Sequence, residues 1–457
     1  MKKYRRNRWE LAVLCAALGI FAAGCSGTPN AGLTDEGKTN TAIHEEAVAE
    51  YPTEPVFQDD EEQWEYSRAR RKALTDTFTE AYGTFAFRTS AEILKDSEEN
   101  LTYSPLSLYY ALALACDGAE GETQKEMLEL LGYADKETLA ADCKSSFEAL
   151  YYAPNEKNNK PNEWGEYPAE SRYALLLANS LWVDDAIALK KEFTGRASEY
   201  FYADVFRGDL QSEAAAKKKS QWVSERTNGL ITPAETPADE QTVLSIVNTI
   251  YFYDEWIDRF DKEETKEDVF TCADGTEVNC DFMNMISFSA GFRRGENFTA
   301  SSLSLKNGQM VFVLPDEGVD VQELAEDPEQ LLAAIEDGGE SLFGKVTWKV
   351  PKFSFGSDLQ LSDVLRALGM ETAFSEEADF SKMADTEPLF ISNVIQNAHL
   401  GIDEDGVEGA AFTEIMYAGA ALPKDEAQMI LDRPFMYAVK NNGQIVFIGI
   451  CENPAEN

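Results

Sequence analysis

Histidine is nearly absent: 457 residues contain two, His44 and His399. A Ser-His-Asp or Cys-His mechanism would have to use His399, and no G-x-S-x-G nucleophile elbow exists for it to serve. H-E-x-x-H, the phosphate-binding P-loop and a G-x-G-x-x-G turn after a strand are missing as well. The chain therefore reads as no enzyme, with no catalytic residue, metal or cofactor. Gly401-Ile402-Asp403-Glu404-Asp405-Gly406 superficially suggests a calcium loop, but such a loop needs acids at positions one and twelve, which here are Gly401 and Phe412. Cysteine is sparse. Beyond Cys15 and Cys25, the five that remain (Cys116, Cys143, Cys272, Cys280, Cys451) form no C-x-x-C pair, against a disulfide scaffold or a zinc site. Cys272 and Cys280 flank Asp274-Gly275 and either pair across a hairpin or stay as two thiols. Positive charge is scarce too: 40 Lys and Arg face 82 Asp and Glu, a net charge of −42. So acidic a surface repels nucleic acid and anionic lipid.

What is present begins with an address. The bases Lys2, Lys3, Arg5, Arg6 and Arg8 precede an apolar run, Leu11 to Ala23, that ends in Ala22-Ala23-Gly24-Cys25. This order reads as a signal peptide over 1–24, and the run is too short for a membrane span. From Cys25 to Glu62 the chain is rich in Ser, Thr, Gly, Glu, Ala and Pro and reads as a flexible tether over 25–62. The globular pattern covers 63–457, where 44% hydrophobic residues in the whole chain suffice for a sizeable core. Leu74, Phe78, Ala81 or Tyr82, and Phe85 predict one amphipathic helix over about 66–88. Leu175 to Val183 and Thr242 to Tyr253 read as strands, Ala214 to Asn228 as a helix. Hairpins are expected around Asp274-Gly275 and around Asn441-Asn442-Gly443. Helices dominate early and strands late, which predicts a single α+β domain.

One segment is patterned as a strand but flanked as a loop. Val407, Gly409, Ala411, Thr413, Ile415 and Tyr417 alternate with residues that include Glu408 and Glu414, the period-two signature of a strand with one face inward. A Gly/Ala/Pro stretch, Ala418 to Pro423, and a charged run, Lys424 to Glu426, follow it. Read alone, it is either an edge strand with a linker or a segment able to adopt both states.

Several ordered motifs then resemble the serpin family over about 63–457. They are Tyr103-Ser104-Pro105-Leu106-Ser107-Leu108 with Gly118-Ala119-Glu120-Gly121-Glu122-Thr123, Asn179-Ser180-Leu181-Trp182, and Trp222-Val223 with Thr227-Asn228-Gly229-Leu230-Ile231. Asn248-Thr249-Ile250-Tyr251-Phe252 with Trp256, Val350-Pro351-Lys352-Phe353, Leu368-Gly369-Met370 with Ala378-Asp379-Phe380-Ser381, and Arg433-Pro434-Phe435 complete the set. The resemblance implies helices around a large mixed main sheet, two smaller sheets and an exposed reactive loop. It implies a suicide-substrate inhibitor: a protease cuts the loop, is held as an acyl-enzyme, and the cut loop enters the main sheet. Glu404, Gly406, Val407, Glu408, Gly409, Ala410 and Ala411 match the hinge. Val407 stands where Thr or Ser is usual and Phe412 where a small residue is usual; Phe412 falls on the outward parity. Ser104, Ser107, Asn248, Trp256 and Gln396 match the region where the sheet opens, Gln396 replacing a histidine common among relatives. Spacing from Gly406 puts the scissile bond at Ala420-Ala421, with Tyr417 and Leu422 as alternatives. Small flanking residues suit an elastase- or subtilisin-like serine protease, Tyr417 or Leu422 a chymotrypsin-like one, and a papain-like cysteine protease is a further partner class. Ala-Gly-Cys25 resembles a bacterial lipobox, implying a lipid on Cys25, a monomer held outside a bacterial membrane by that lipid alone, or else a secreted protein from an ordinary signal peptide. A non-inhibitory serpin-fold binding protein is the rival.

Overall fold

The structure is a computed structural model that describes residues 43–154, 173–238, 242–386, 389–392, 394–407 and 425–456. In chain order the first half contains β1 (His44–Ala47), α1 (Asp60–Arg71), α2 (Asp76–Leu94), β2 (Leu101–Tyr103), α3 (Pro105–Asp117), α4 (Gly121–Leu131) and α5 (Lys136–Leu150). Then come β3 (Ala174–Val183), α6 (Lys191–Tyr200), β4 (Ala203–Arg207), α7 (Glu213–Arg226) and β5 (Leu244–Glu255). The second half is strand-rich: β6 (Lys266–Thr271), β7 (Glu277–Arg294), β8 (Phe298–Ser304), β9 (Gly308–Pro315), α8 (Pro328–Leu332), β10 (Glu340–Pro351), β11 (Phe353–Gln360) and α9 (Ser362–Ala367). It ends with β12 (Ile395–Ile402), β13 (Gly406–Val407), β14 (Asp425–Ile430), β15 (Phe435–Asn441) and β16 (Gln444–Cys451).

Two sheets organise the body. The seven-stranded sheet runs β1-β4-β3-β5-β13-β12-β11. The second sheet runs β14-β10-β7-β8-β9-β15-β16-β2, with β6 paired to β7. Its two arms, β14-β10-β7-β6 and β8-β9-β15-β16-β2, are joined where Phe292–Arg294 of β7 pair with Thr299–Ser301 of β8. These arms correspond to the two smaller sheets. Helix α3 packs against both β5 and β16, and nearly every one of its side chains is buried. On the other face of the seven-stranded sheet, Trp222 and Val223 of α7 cover Ala178, Trp182, Phe206 and Val247 as a smaller separate core. Apolar residues at alternating strand positions require cover on both sides, and α3 and α7 supply it.

Local chemistry explains the boundaries. The C-terminal hairpin turns on Asn442 at φ 48° and Gly443 at φ 79°, the paired positive angles that favour Asn-Gly in a two-residue turn. The single helix expected over 66–88 is two helices. Thr75 accepts from the Phe78 N–H at 3.0 Å and starts α2 afresh, so a capping residue outweighs continuous apolar spacing.

The tether expected up to Glu62 also differs. Residues 43–57 lie on the body, though they are poor in large apolar side chains. β1 adds an edge strand to β4, and the Ala49 N–H donates to Asp204 Oδ1 at 2.9 Å. The Tyr51 ring sits 5.4 Å from that of Tyr151, with the Arg226 guanidinium 4.4 Å above it. Phe57 is buried against the Tyr66 ring as well, so an edge strand and a few anchors hold a segment whose composition alone suggests looseness. Among the described residues no helix is long and apolar enough to cross a membrane.

Candidate functional site

Strand β5 is the axis of the site. Near its C-terminal end, β13 lies between β5 and β12, antiparallel to both: Val407 pairs with Asp254 on one side and with Ile402 on the other. Gly406 is required there, because a Cβ would fall 2.3 Å from the Asp254 carbonyl oxygen. The turn into β13 is tied by Asp403, whose Oδ1 accepts from the N–H groups of Asp405 and Gly406 at 2.9 and 3.3 Å.

Ion pairs surround this end. The buried Glu404 carboxylate accepts from Lys352 Nζ at 2.9 and 3.1 Å and from Thr265 Oγ1 at 2.8 Å. Burial acts against that charge, yet these bonds outweigh it and hold the Glu404 carboxyl below its usual range. Asp405 pairs with Arg259 and Lys262, and the buried Glu255 with Arg259 and Lys306. Asp254 differs. It accepts from the Asn307 and Glu255 N–H groups at 2.8 and 2.9 Å, but burial still pushes its carboxyl up to about 6.

The middle of the sheet is held by neutral groups. Gln396 of β12 clamps Ser104 at two points: its Oε1 accepts from the Ser104 N–H at 2.8 Å and its Nε2 donates to the Ser104 carbonyl at 2.9 Å. Ser104 caps α3, and its hydroxyl donates to the Val446 carbonyl at 2.8 Å. Ser107 on the first turn of α3 donates to Asn248 of β5, which donates to Asn179 of β3, which donates to the Phe201 carbonyl at 2.6 Å. One chain of hydrogen bonds thus links β12, the α3 N-terminus, β5 and β3. Asn179 was quoted above only as part of a strand. The signal for its role was an amide inside the apolar run Leu175 to Val183, which needs buried partners.

The sequence grouped Trp256 with these residues, but it lies at the far end of β5. Its indole donates to the Asp403 carbonyl at 2.9 Å, so it supports the turn into β13. Burial lowers the His399 pKa, its Nε2 stands 3.4 Å from Ser354 Oγ, and its Nδ1 has no partner among the described residues. Glu408, Gly409, Ala410, Ala411, Phe412, Tyr417, Ala420, Ala421, Leu422 and the lipobox residue Cys25 lie outside the described residues.

Past β13, toward the N-terminal end of β5, no described residue of β5 pairs with β12. Leu244–Asn248 are half-buried there, whereas Thr249–Glu255 are buried. A cavity of about 490 Å³ occupies the gap, with Ser107, Leu108 and Leu112 of α3 on one side and Lys219 and Val223 of α7 on the other. Lys219 donates to Ser245 Oγ at 2.9 Å and has no carboxylate partner among the described residues; burial lowers its pKa. The site is a strand-wide slot, started at one end and open at the other.

A family profile described as serpin (serine protease inhibitor) matches residues 80–454. The chain belongs to the serpin family. Human alpha-1-antichymotrypsin is 28% identical over 422 residues, covering 90% of this chain and 95% of the relative. Among solved structures, the thermophilic serpin tengpin in its native state superposes with a TM-score of 0.71 at 25% identity, covering 90% of this serpin and 99% of tengpin. Thyroxine-binding globulin in complex with thyroxine gives 0.67 at 25% identity, over 83% of this chain and 99% of the globulin. The α+β serpin fold is therefore established, and with it a family of protease inhibitors rather than catalysts.

Proposed function

We propose that this serpin inhibits a serine protease as a suicide substrate. The observation that carries the reading is β13, two hinge residues already paired between β5 and β12 at the head of an unpaired slot. Extending that register places Gly409 opposite Phe252 and Leu400, and Ala411 opposite Ile250 and Ala398, all four of which are buried in the main core. Small residues thus arrive where space is least. Thr413 arrives opposite Asn248 and Gln396, a hydroxyl meeting the neutral network. Phe412 and Glu414 emerge on the face toward α7, where bulk and charge are better tolerated. The strand would reach Leu244 at Tyr417, leaving Ala420-Ala421 beyond the sheet, so cleavage there frees the whole insert.

About ten new residues of strand at roughly 0.5–1.5 kcal/mol net per hydrogen bond give on the order of 5–15 kcal/mol. That suffices to drag a tethered acyl-enzyme and distort it; a displacement of about 1 Å can slow deacylation about 100-fold. The uncut form is then a kinetically trapped one. Small residues at Ala420-Ala421 favour an elastase- or subtilisin-like target. Export, and a lipid on Cys25 that holds a monomer at a bacterial surface, belong to the same reading. A non-inhibitory carrier is the second reading, favoured by Phe412 in the hinge and by the likeness to thyroxine-binding globulin.

Equimolar incubation with an elastase, followed by a denaturing gel, tests the proposal. A band at the summed mass with cleavage near Ala420 is expected. Cleavage without that band, and with no gain in heat stability of the cut protein, would leave the carrier.

A further inference from the structure

Phe288, Phe343 and Ile286 are 60%, 55% and 49% exposed, among the most exposed large apolar side chains of the described residues. They share one face. In the β7–β10 pairing, Ile286 stands opposite Thr347 and Phe343 opposite Gly291, with Phe288 between them at the bulge. Their alternates Val346, Gly344 and Phe292 are buried on the other side. Three large apolar groups side by side on a solvent face are costly to leave bare and mark an interaction surface.

The chain itself says what comes to that surface. β14 is the first described segment after the reactive loop, and it runs parallel to β10 with Asp425 opposite Gly344. Gly344 permits this closeness, since a Cβ would lie 1.8 Å from the Asp425 carbonyl oxygen. Because the strands are parallel, the residues before Asp425 arrive from the Phe343 end of β10. Ala421 is four residues upstream of Asp425, which allows at most about 15 Å of extended chain. A protease of ordinary size has a radius of gyration of roughly 17 Å. A protease seated on that bond cannot avoid the neighbourhood of Phe343.

We infer that Ile286, Phe288 and Phe343 form a docking surface for the body of the target protease, which presents an apolar patch beside its cleft. This rests on the inhibitor reading above. The surface adds to encounter and orientation, and leaves loop insertion untouched.

The test uses the full chain and whichever of elastase, subtilisin or chymotrypsin it traps. The second-order rate of covalent complex formation is compared between the parent and the triple variant Ile286→Ser, Phe288→Ser, Phe343→Ser. A fall of about tenfold is expected, the loss of a modest hot spot. The moles of inhibitor consumed per mole of protease, and the heat-stability gain on cleavage, should not change. Should the triple variant lose that gain through misfolding, Phe288→Ser alone is read the same way, with about a threefold fall expected. A rate within about twofold of the parent overturns the docking surface while the inhibitor reading stands. No covalent band from the parent with any of the three proteases overturns both.

Discussion

The β13 end of the slot between β5 and β12 and its middle are fastened by opposite chemistry. At β13 the fasteners are charges: Glu404 with Lys352, Asp405 with Arg259 and Lys262, Glu255 with Lys306. At the middle they are amides and hydroxyls: Gln396, Ser104, Ser107, Asn248 and Asn179. Charged fasteners in a partly solvated place respond to salt and to the loss of one partner, which strands a buried ion. Neutral ones respond to neither salt nor pH, only to the loss of geometry. The β13 end can therefore be tuned by its surroundings, while the centre of the sheet keeps one arrangement.

Breaking the charged end should have the largest effect. Lys352→Met leaves the Glu404 carboxylate buried with Thr265 as its remaining side-chain donor. A loss of about 2–4 kcal/mol is expected in chemical denaturation, and the difference from the parent should shrink in high salt. An unchanged midpoint would show that Lys352 is a solvated bystander. Gln396→Leu should cost somewhat less, about 1–3 kcal/mol, because it strands the Ser104 N–H while the Ser104 carbonyl keeps its helical bond to Leu108. That loss should be the same at low and high salt; a salt-dependent loss would dissolve the contrast between the β13 end and the middle.

Acidity sharpens the comparison further. The Asp254 carboxyl is pushed up to about 6 by burial, above the roughly 3.9 of an unfolded aspartate. The folded chain holds that proton more tightly, so the contribution is fully present below about pH 4 and is lost as pH rises through about 6, on the order of 2–3 kcal/mol. Asp254→Asn should flatten that stretch of the stability curve, and an unaltered slope would mean another group titrates there. The smallest effect is expected at Lys219. It lies on the face where Glu414 would emerge, so Lys219→Met should leave the uncut protein as stable as the parent and trim its heat-stability gain on cleavage by a few degrees. An undiminished gain would show that the two never meet.

Much of this was legible in the chain. Asn441-Asn442-Gly443 and Asp274-Gly275 announced their hairpins because glycine and asparagine bear the positive φ that those turns need. The period-two pattern from Val407 puts small residues and Phe412 on opposite faces, and of that segment the described residues reach only Val407. What escaped notice depends on partners far away in sequence. The Glu404–Lys352 pair spans 52 positions, and nothing local distinguishes these two from the other charges of a very acidic chain. The strap from Ile43 to Phe57 escaped because its hold comes from an edge strand and single anchors such as Tyr51 and Phe57, which composition averages away. Trp256 and Asn248 came from one motif, yet Asn248 lies within β5 and Trp256 just past its end beside the turn into β13, since a motif gives identity and not position along the strand.

Strand β1 also shortens a leash. With residues from Ile43 onward fastened to the body, only 18 positions separate them from Cys25. No chain of that length reaches farther than about 60 Å. Were Cys25 to carry the proposed lipid, that reach would cap the distance between the body and the membrane surface.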